Sequence, residues 1–201
     1  PILLKPSLTE EQIARFAVNQ YKYPSLDVRP YFKRNYLYGE TMTHILGYVG
    51  RINDRDVERL KKEEKFANYS GSTDMGKLGI ERYYEEQLHG MTGFEEVEIN
   101  NRGKVIRKLR EQPATAGKSI HLTIDLALQR YIMSLLSGQK GAVVVLDPKD
   151  NSVLAMVSTP SYDNNLFVDG ISASDYKRLL NDPARPLYSR ATQGVYPPAS
   201  T

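Results

Sequence analysis

Two complete Ser-x-x-Lys spacings and one serine at the chain's end mark where this sequence could do chemistry. A serine attacks a carbonyl only when a nearby base takes its proton, and a Ser and a Lys three apart on a helix share one face. The complete spacings are Ser137-Gly138-Gln139-Lys140 and Ser174-Asp175-Tyr176-Lys177. Ser137 is followed by glycine where a helix should end, so its lysine falls off the turn. Ser174 belongs to the first turn of a helix, where serine is common anyway, and Lys177 should be solvated. Ser200 is the stronger candidate. It follows Pro197, Pro198 and Ala199, and prolines are tolerated just before a helix or in its first turn. A serine there would face free backbone N–H groups and a dipole suited to a developing oxyanion. Taken alone, Pro-Pro-Ala-Ser-Thr reads more readily as a plain Pro-rich end.

Other chemistries find less support. The chain has no cysteine, so a thiolate nucleophile or cysteine metal site is excluded. His44, His89 and His121 stand far apart, with no second ligand at metal spacing. Asp147, Asp150, Asp163 and Asp169 occupy turn-like positions, where structural roles are expected. The glycines from Gly76 onward fit neither common phosphate-loop spacing. Net charge is +3 over 201 residues, too diffuse to argue for nucleic acid. Residues 26–38 mix basic and aromatic side chains as a single-strand binder does, but a half-buried strand followed by a loop is the preferred reading. No run approaches the roughly 18 apolar residues of a membrane span.

The positioning elements follow from periodicity and caps. Thr9 with Gln12 forms a capping box opening a helix with Ile13, Phe16 and Ala17 on one face, stopped by Tyr23-Pro24. Asn53-Asp54 starts another, with Val57 and Leu60 inward. Ile80, Tyr84 and Leu88 form a stripe closed by Gly90. Residues 94–99 and 104–109 alternate around Asn-Asn-Arg-Gly as a hairpin. Residues 111–118 are the best linker. Asp125 should cap a helix with Leu128, Ile132 and Leu135 inward. Gly141–Asp147 reads as a buried strand, Pro148–Asn151 as a turn and Ser152–Ser158 as the return strand. Ser172 to Asp175 caps a helix running to Leu180. The fold class is α+β.

Several stretches resemble the class B penicillin-binding proteins. G-x-x-G-I-E-x-x-Y-E-x-x-L-x-G-x-x-G, Gly76 to Gly93, is similar to the signature of that family's non-catalytic pedestal domain. The stretch Ala142 to Asn165 resembles the start of its catalytic domain, and Tyr196 to Thr201 resembles its nucleophile segment, with Ala199 in place of glycine. The likeness runs from about residue 7 to Thr201. It implies a partial, N-terminally truncated pedestal over 1–112. Residues 113–201 would then be the first helix and antiparallel hairpin of a C-terminally truncated serine transpeptidase/β-lactamase-like domain. It implies Ser200 as catalytic nucleophile, with the partner lysine two residues past Thr201. No S-x-N or K-[ST]-G motif occurs within the chain, so this polypeptide alone should be inactive. The implied parent activity is peptidoglycan D,D-transpeptidation in cell elongation, at the periplasmic face of the inner membrane, with an N-terminal anchor. The implied partners are D-Ala-D-Ala stem peptides, β-lactams and elongation-machinery membrane proteins including a glycosyltransferase. No cofactor is expected within the chain, a family zinc site lying beyond Thr201. The rival reading is a non-enzymatic pedestal that docks to those partners. A β-lactamase or β-lactam sensor shares the chemistry but leaves the N-terminal half unexplained.

Overall fold

The computed structural model describes residues 4–5, 7–101 and 105–195, in two compact units, Pro1–Arg34 and Asn35–Thr201. In the first unit, α1 (Glu10–Asn19) opens with the expected capping box. The Gln12 N–H donates to Thr9 Oγ1 at 3.3 Å and the Thr9 N–H donates to Gln12 Oε1 at 3.2 Å. A single 3-10 turn, Gln20–Lys22, follows. Residues 26–38 form no strand, contrary to expectation. Pro24 just before the stretch and Pro30 within it lack the N–H a ladder needs, and among the described residues no strand pairs with it.

The second unit begins with α2 (Gly39–Leu46), which ends at Gly47 with φ of +73°. Strand β1 (Val49–Arg51) leads into α3 (Asp54–Lys62), where Asn53 and Asp56 make a reciprocal capping box. A one-turn helix α4 (Phe66–Tyr69) and strand β2 (Asp74–Gly76) follow, and β2 pairs antiparallel with β1. Leu60, Tyr69 and Met75 form the local core, with Ile52 against it.

The expected single helix over 80–88 is two short ones, α5 (Gly79–Tyr83) and α6 (Glu85–His89), broken at Tyr84. The break accompanies a tether: Glu85 Oε2 accepts the Gly76 N–H at 2.8 Å. Two signature glycines have steric reasons. A Cβ on Gly79 (φ +58°) would meet Ile45 O at 2.5 Å, and one on Gly90 (φ +75°) would meet Thr115 O at 2.3 Å.

The antiparallel hairpin pairs β3 (Phe94–Ile99) with β4 (Val105–Gln112), and every residue of β4 is exposed. The turn at 102–104 lies outside the described residues. The stretch expected to be a linker is tied down. Met91 and Thr115 exchange backbone hydrogen bonds at 2.9 Å, and the Lys118 N–H donates to Gln87 O at 2.7 Å.

Helix α7 (Leu126–Leu135) is capped by Asp125, whose Oδ1 accepts the Leu128 N–H at 3.0 Å. Its inward face differs from the expected one: Leu128, Ile132, Met133 and Leu136 pack on the sheet while Leu135 stays exposed. Strands β5 (Gly141–Leu146) and β6 (Val153–Thr159) form the second antiparallel hairpin. The apolar run in β5 is not buried on both faces. Val143 and Val145 face α7, while Val144 and Leu146 are about half exposed. After the cis Thr159–Pro160 bond come a 3-10 turn at Asn164–Phe167, helix α8 (Ala173–Asn181) and the short helix α9 (Arg190–Gln193). Tyr162, Phe167 and Leu179 make a third core, with Tyr48 stacked on Phe167 at 4.0 Å between ring centroids.

Candidate functional site

Ser200 lies outside the described residues; the described residues that precede it in sequence end in a platform. That platform is the β5–β6 hairpin, α7 laid across it and α9 docked at its end. Thr123 Oγ1 donates to Val153 O at 2.7 Å and the Asp125 N–H donates to Leu154 O at 2.8 Å. Gln129, only 1% exposed, completes the outer edge of β6. Its Oε1 accepts the Met156 N–H at 2.8 Å, and its Nε2 donates to Met156 O at 2.9 Å and to Thr41 O at 3.0 Å. A side-chain amide thus does for β6 what a neighbouring strand would do, which a buried polar group requires.

The next backbone link aims α9. The Arg190 N–H donates to the buried Ser158 Oγ at 2.9 Å. The Arg190 guanidinium donates to Ala184 O at 2.6 Å and reaches Arg185 O and Tyr188 O at 3.4 and 3.5 Å. A planar fork serves several carbonyls at once, which an ammonium cannot. Its cation also lies over the Tyr188 ring, 5.8 Å from the centroid. Tyr188 OH donates to Gln193 O at 2.5 Å, Gln193 Oε1 accepts the Ser189 N–H at 3.2 Å, and Thr192 Oγ1 donates to Ser189 Oγ at 2.8 Å. The first turn of α9 is thereby fixed to β6 shortly before Ser200.

His44 packs nearby, its ring edge-on to Tyr162 at 5.7 Å. Burial holds its pKa below the ordinary imidazole value; the Pro160 and Pro186 carbonyls oppose that shift and the Arg190 charge adds to it. His44 therefore sits in the fold as a neutral ring.

The remaining candidates separate cleanly. Ser137 lies past the end of α7 and Gly138 takes φ of +76°, so Lys140 leaves the turn and donates to Pro183 O at 3.4 Å. Ser174 hydrogen-bonds Ser172 Oγ at 2.9 Å in the first turn of α8, and Lys177 is exposed. Neither pair forms a serine–lysine couple. His89 stacks on Tyr69 at 4.1 Å and shares a 2.8 Å hydrogen bond with Ser72, while His121 is exposed. Asp147, Asp150 and Asp163 accept N–H groups two residues ahead, at Lys149, Ser152 and Asn165, each at 2.9 Å. Among the described residues no three His, Asp or Glu side chains gather as a metal site requires. Sequence reasoning gave no role to Gln129, Ser158 or Arg190. A polar residue inside an apolar stripe was the available signal for Gln129; Arg190 and Ser158 carried none.

Comparisons with known proteins agree with this order of parts. The family model for the penicillin-binding protein dimerisation domain matches residues 1–122, and that for the penicillin-binding protein transpeptidase domain matches residues 141–201. The chain is 84% identical to the peptidoglycan D,D-transpeptidase MrdA of Haemophilus influenzae and 64% identical to that of Escherichia coli K12. Both matches cover 100% of this chain and 31% and 32% of those proteins, so it spans about a third of their length. Among solved structures it resembles Pseudomonas aeruginosa PBP2 in complex with WCK 5153, at 43% identity with a TM-score of 0.71, over 87% of this chain and 35% of that one. It also resembles PBP2 of Helicobacter pylori in complex with MreC, at 26% identity with a TM-score of 0.80, over 95% of this chain and 35% of that one. The matches across 1–122 and 141–201, in the order of the two described hairpins, show that the chain belongs to the penicillin-binding proteins, joining their dimerisation domain to the opening of their transpeptidase domain.

Proposed function

We propose that the protein containing this chain is a peptidoglycan D,D-transpeptidase of cell elongation, with Ser200 as its nucleophile. The carrying observation is the anchoring of the segment that precedes that serine in sequence: α9 is pinned to β6 by the Arg190–Ser158 hydrogen bond, within the part matched by the transpeptidase family model. The MrdA names of the relatives support the same reading. A lysine two residues past Thr201 takes the Ser200 proton while Ser200 Oγ attacks the penultimate D-Ala carbonyl of a stem peptide. An ester forms and the terminal D-Ala leaves as the amine, carrying that proton. An amine of a second stem peptide then displaces Ser200, forming the cross-link and returning the hydroxyl. The acyl group travels on serine, so the scheme needs no cofactor within residues 1–201; a zinc site, if the parent carries one, belongs beyond them. β-Lactams enter the same first step and stay as the ester. The setting is the periplasmic face of the inner membrane, with partners in the elongation machinery including a glycosyltransferase. The full-length protein should gain one penicilloyl adduct on Ser200 by mass spectrometry, absent in Ser200→Ala; an adduct that survives the substitution refutes the assignment.

A second reading has its own observation. The β3–β4 hairpin exposes Phe94, Ile99, Val105, Ile106 and Leu109, more apolar surface than a two-stranded ribbon needs in water. That favours the pedestal as a docking module for partner proteins, and the related Helicobacter pylori PBP2 is solved in complex with a protein partner, MreC. Full-length protein carrying Leu109→Lys should bind such a partner at least tenfold more weakly while still reacting with penicillin. Unchanged binding removes the hairpin from the interface.

A further inference from the structure

The part matched by the dimerisation-domain model meets later residues along 36–48, through the ring contacts His44–Tyr162 and Tyr48–Phe167 and through side chains that hydrogen-bond the backbone of 36–47. Nearly all of those hydrogen bonds come from one short stretch. Asn165 reads Tyr36 on both sides: its Oδ1 accepts the Tyr36 N–H at 2.9 Å and its Nδ2 donates to Tyr36 O at 3.0 Å. Asp163 Oδ1 holds that amide in place by accepting Asn165 Nδ2 at 2.8 Å. Asn164, wholly buried, donates through Nδ2 to Gly47 O at 2.7 Å. Ser161 Oγ donates to Glu40 O at 2.6 Å, and Gln129 Nε2 donates to Thr41 O. Both ends of α2 and its first turn are therefore grasped from the other side.

The grasped segment is equally fixed to the pedestal. Tyr36 OH donates to the buried Glu81 Oε1 at 3.2 Å and accepts the Val49 N–H at 2.8 Å. Gly79 approaches the end of α2 too closely for any side chain, since a Cβ there would lie 2.5 Å from Ile45 O. Gly39 leaves room for Asp163, whose Oδ1 would sit 2.8 Å from a Cβ. Backbone hydrogen bonds of this kind fix direction as well as distance, which apolar packing alone does not.

We propose that Ser161, Asn164 and Asn165, together with Gln129, form an interdomain clasp that locks residues 36–47 onto β6 and the segment after it, so that docking on the pedestal is carried rigidly to the β5–β6 platform. The clasp itself stands on the described contacts, and its use in catalysis rests on the transpeptidase reading. The clasp makes the pedestal a lever, not a tethered spacer. Because the amides of Asn164 and Asn165 bind backbone, the lock depends on those amides and on the bare Gly39 beside Asp163.

The test uses the full-length protein with spin labels on cysteines introduced at the exposed positions Arg55 in α3 and Lys177 in α8. Double electron–electron resonance should give one narrow distance in the otherwise unaltered protein and a broadened or multiple distribution in Asn164→Ala/Asn165→Ala. A narrow, unshifted distribution in that variant overturns the clasp. Should the double variant lose its fold by circular dichroism, Asn165→Asp serves instead. It keeps the acceptor for the Tyr36 N–H but not the donor to Tyr36 O, and it must broaden the distance as well; a narrow distance there is equally fatal. Penicillin labelling of the same samples separates the two claims, since failure to acylate with the distances as expected sinks the catalytic reading and leaves the clasp standing.

Discussion

Arg190 anchors α9 within the part matched by the transpeptidase family model. Its fork spans the carbonyls of Ala184, Arg185 and Tyr188 while its own N–H is held by Ser158. Replacing it by lysine keeps the charge and loses the fork. In the full-length protein Arg190→Lys should slow acylation by a fluorescent penicillin about tenfold, equivalent to ~1.4 kcal/mol in the barrier. The non-covalent affinity should hold, and an unchanged acylation constant would remove Arg190 from positioning. His44 yields a prediction about pH. Its folded pKa is lowered, so the unfolded chain binds the proton more tightly. Its contribution to stability is complete above the unfolded value near 6.5 and is lost as pH falls through the lower, folded value. His44→Phe should flatten the fall in melting temperature between pH 7 and pH 5; an equally steep profile would show that the ring is not the responsible group. Glu85 has the opposite sign. Burial raises its pKa, against the Gly76 N–H and the His89 charge, so its stabilising form is the protonated one, and that contribution fades as pH rises through the folded pKa. Glu85→Gln should therefore gain melting temperature relative to the parent at pH 7 and lose that advantage near pH 4, as thermal melts at the two pH values would show.

At the scale of elements, the helices behave as their caps dictate. Thr9–Gln12 and Asp125 form the expected N-terminal hydrogen bonds, and the helix expected to start at Asn53-Asp54 is closed by an Asn53–Asp56 capping box, because such bonds depend on neighbours within one turn. The strands were harder to place. β5 and residues 26–38 both offered apolar or aromatic runs, yet only β5 found a partner strand. Pairing is a non-local event, so composition could not separate the two. Helix α7 illustrates a subtler failure. The stripe Leu128, Ile132, Leu135 is as good a helical face as the one observed, and the choice between them fell to Gln129. Its amide is needed at the edge of β6, which turns Leu135 out to solvent. Gln129→Leu keeps the volume and orphans the Met156 N–H and carbonyl at the outer edge of β6. Leaving even one such group unsatisfied costs about 1–3 kcal/mol, so the full-length protein should lose at least ~2 kcal/mol in chemical denaturation. A loss below 0.5 kcal/mol would mean that the edge re-pairs by other means.

At the scale of the whole molecule, the Pro-, Ala- and Gly-rich stretch of residues 111–118 reads as a linker but is not a gap in the structure. The stretch after β4 is hydrogen-bonded along Gln87–Met91, and Asn164 and Asn165 reach back to Gly47 and Tyr36. Within Asn35–Thr201 the two family segments are therefore tied by side chains of 161–165 that reach the backbone of 36–47. By itself the sequence determined what is written locally: the caps, the two hairpins, the Gly76–Gly93 signature and, through those, the family. It also disposed of Ser137 and Ser174, because a glycine after a helix and a serine in a first turn have the same meaning in any fold. Only the tertiary structure decided which face of α7 turns inward, why Tyr84 breaks a helix, and that Gln129, Asn164, Asn165 and Arg190 serve the backbone of distant segments. Those roles are hydrogen bonds across as many as 129 residues of chain, to carbonyl and N–H groups that every residue type presents alike. A sequence names the side chain that reaches out; it does not name the peptide group that it finds.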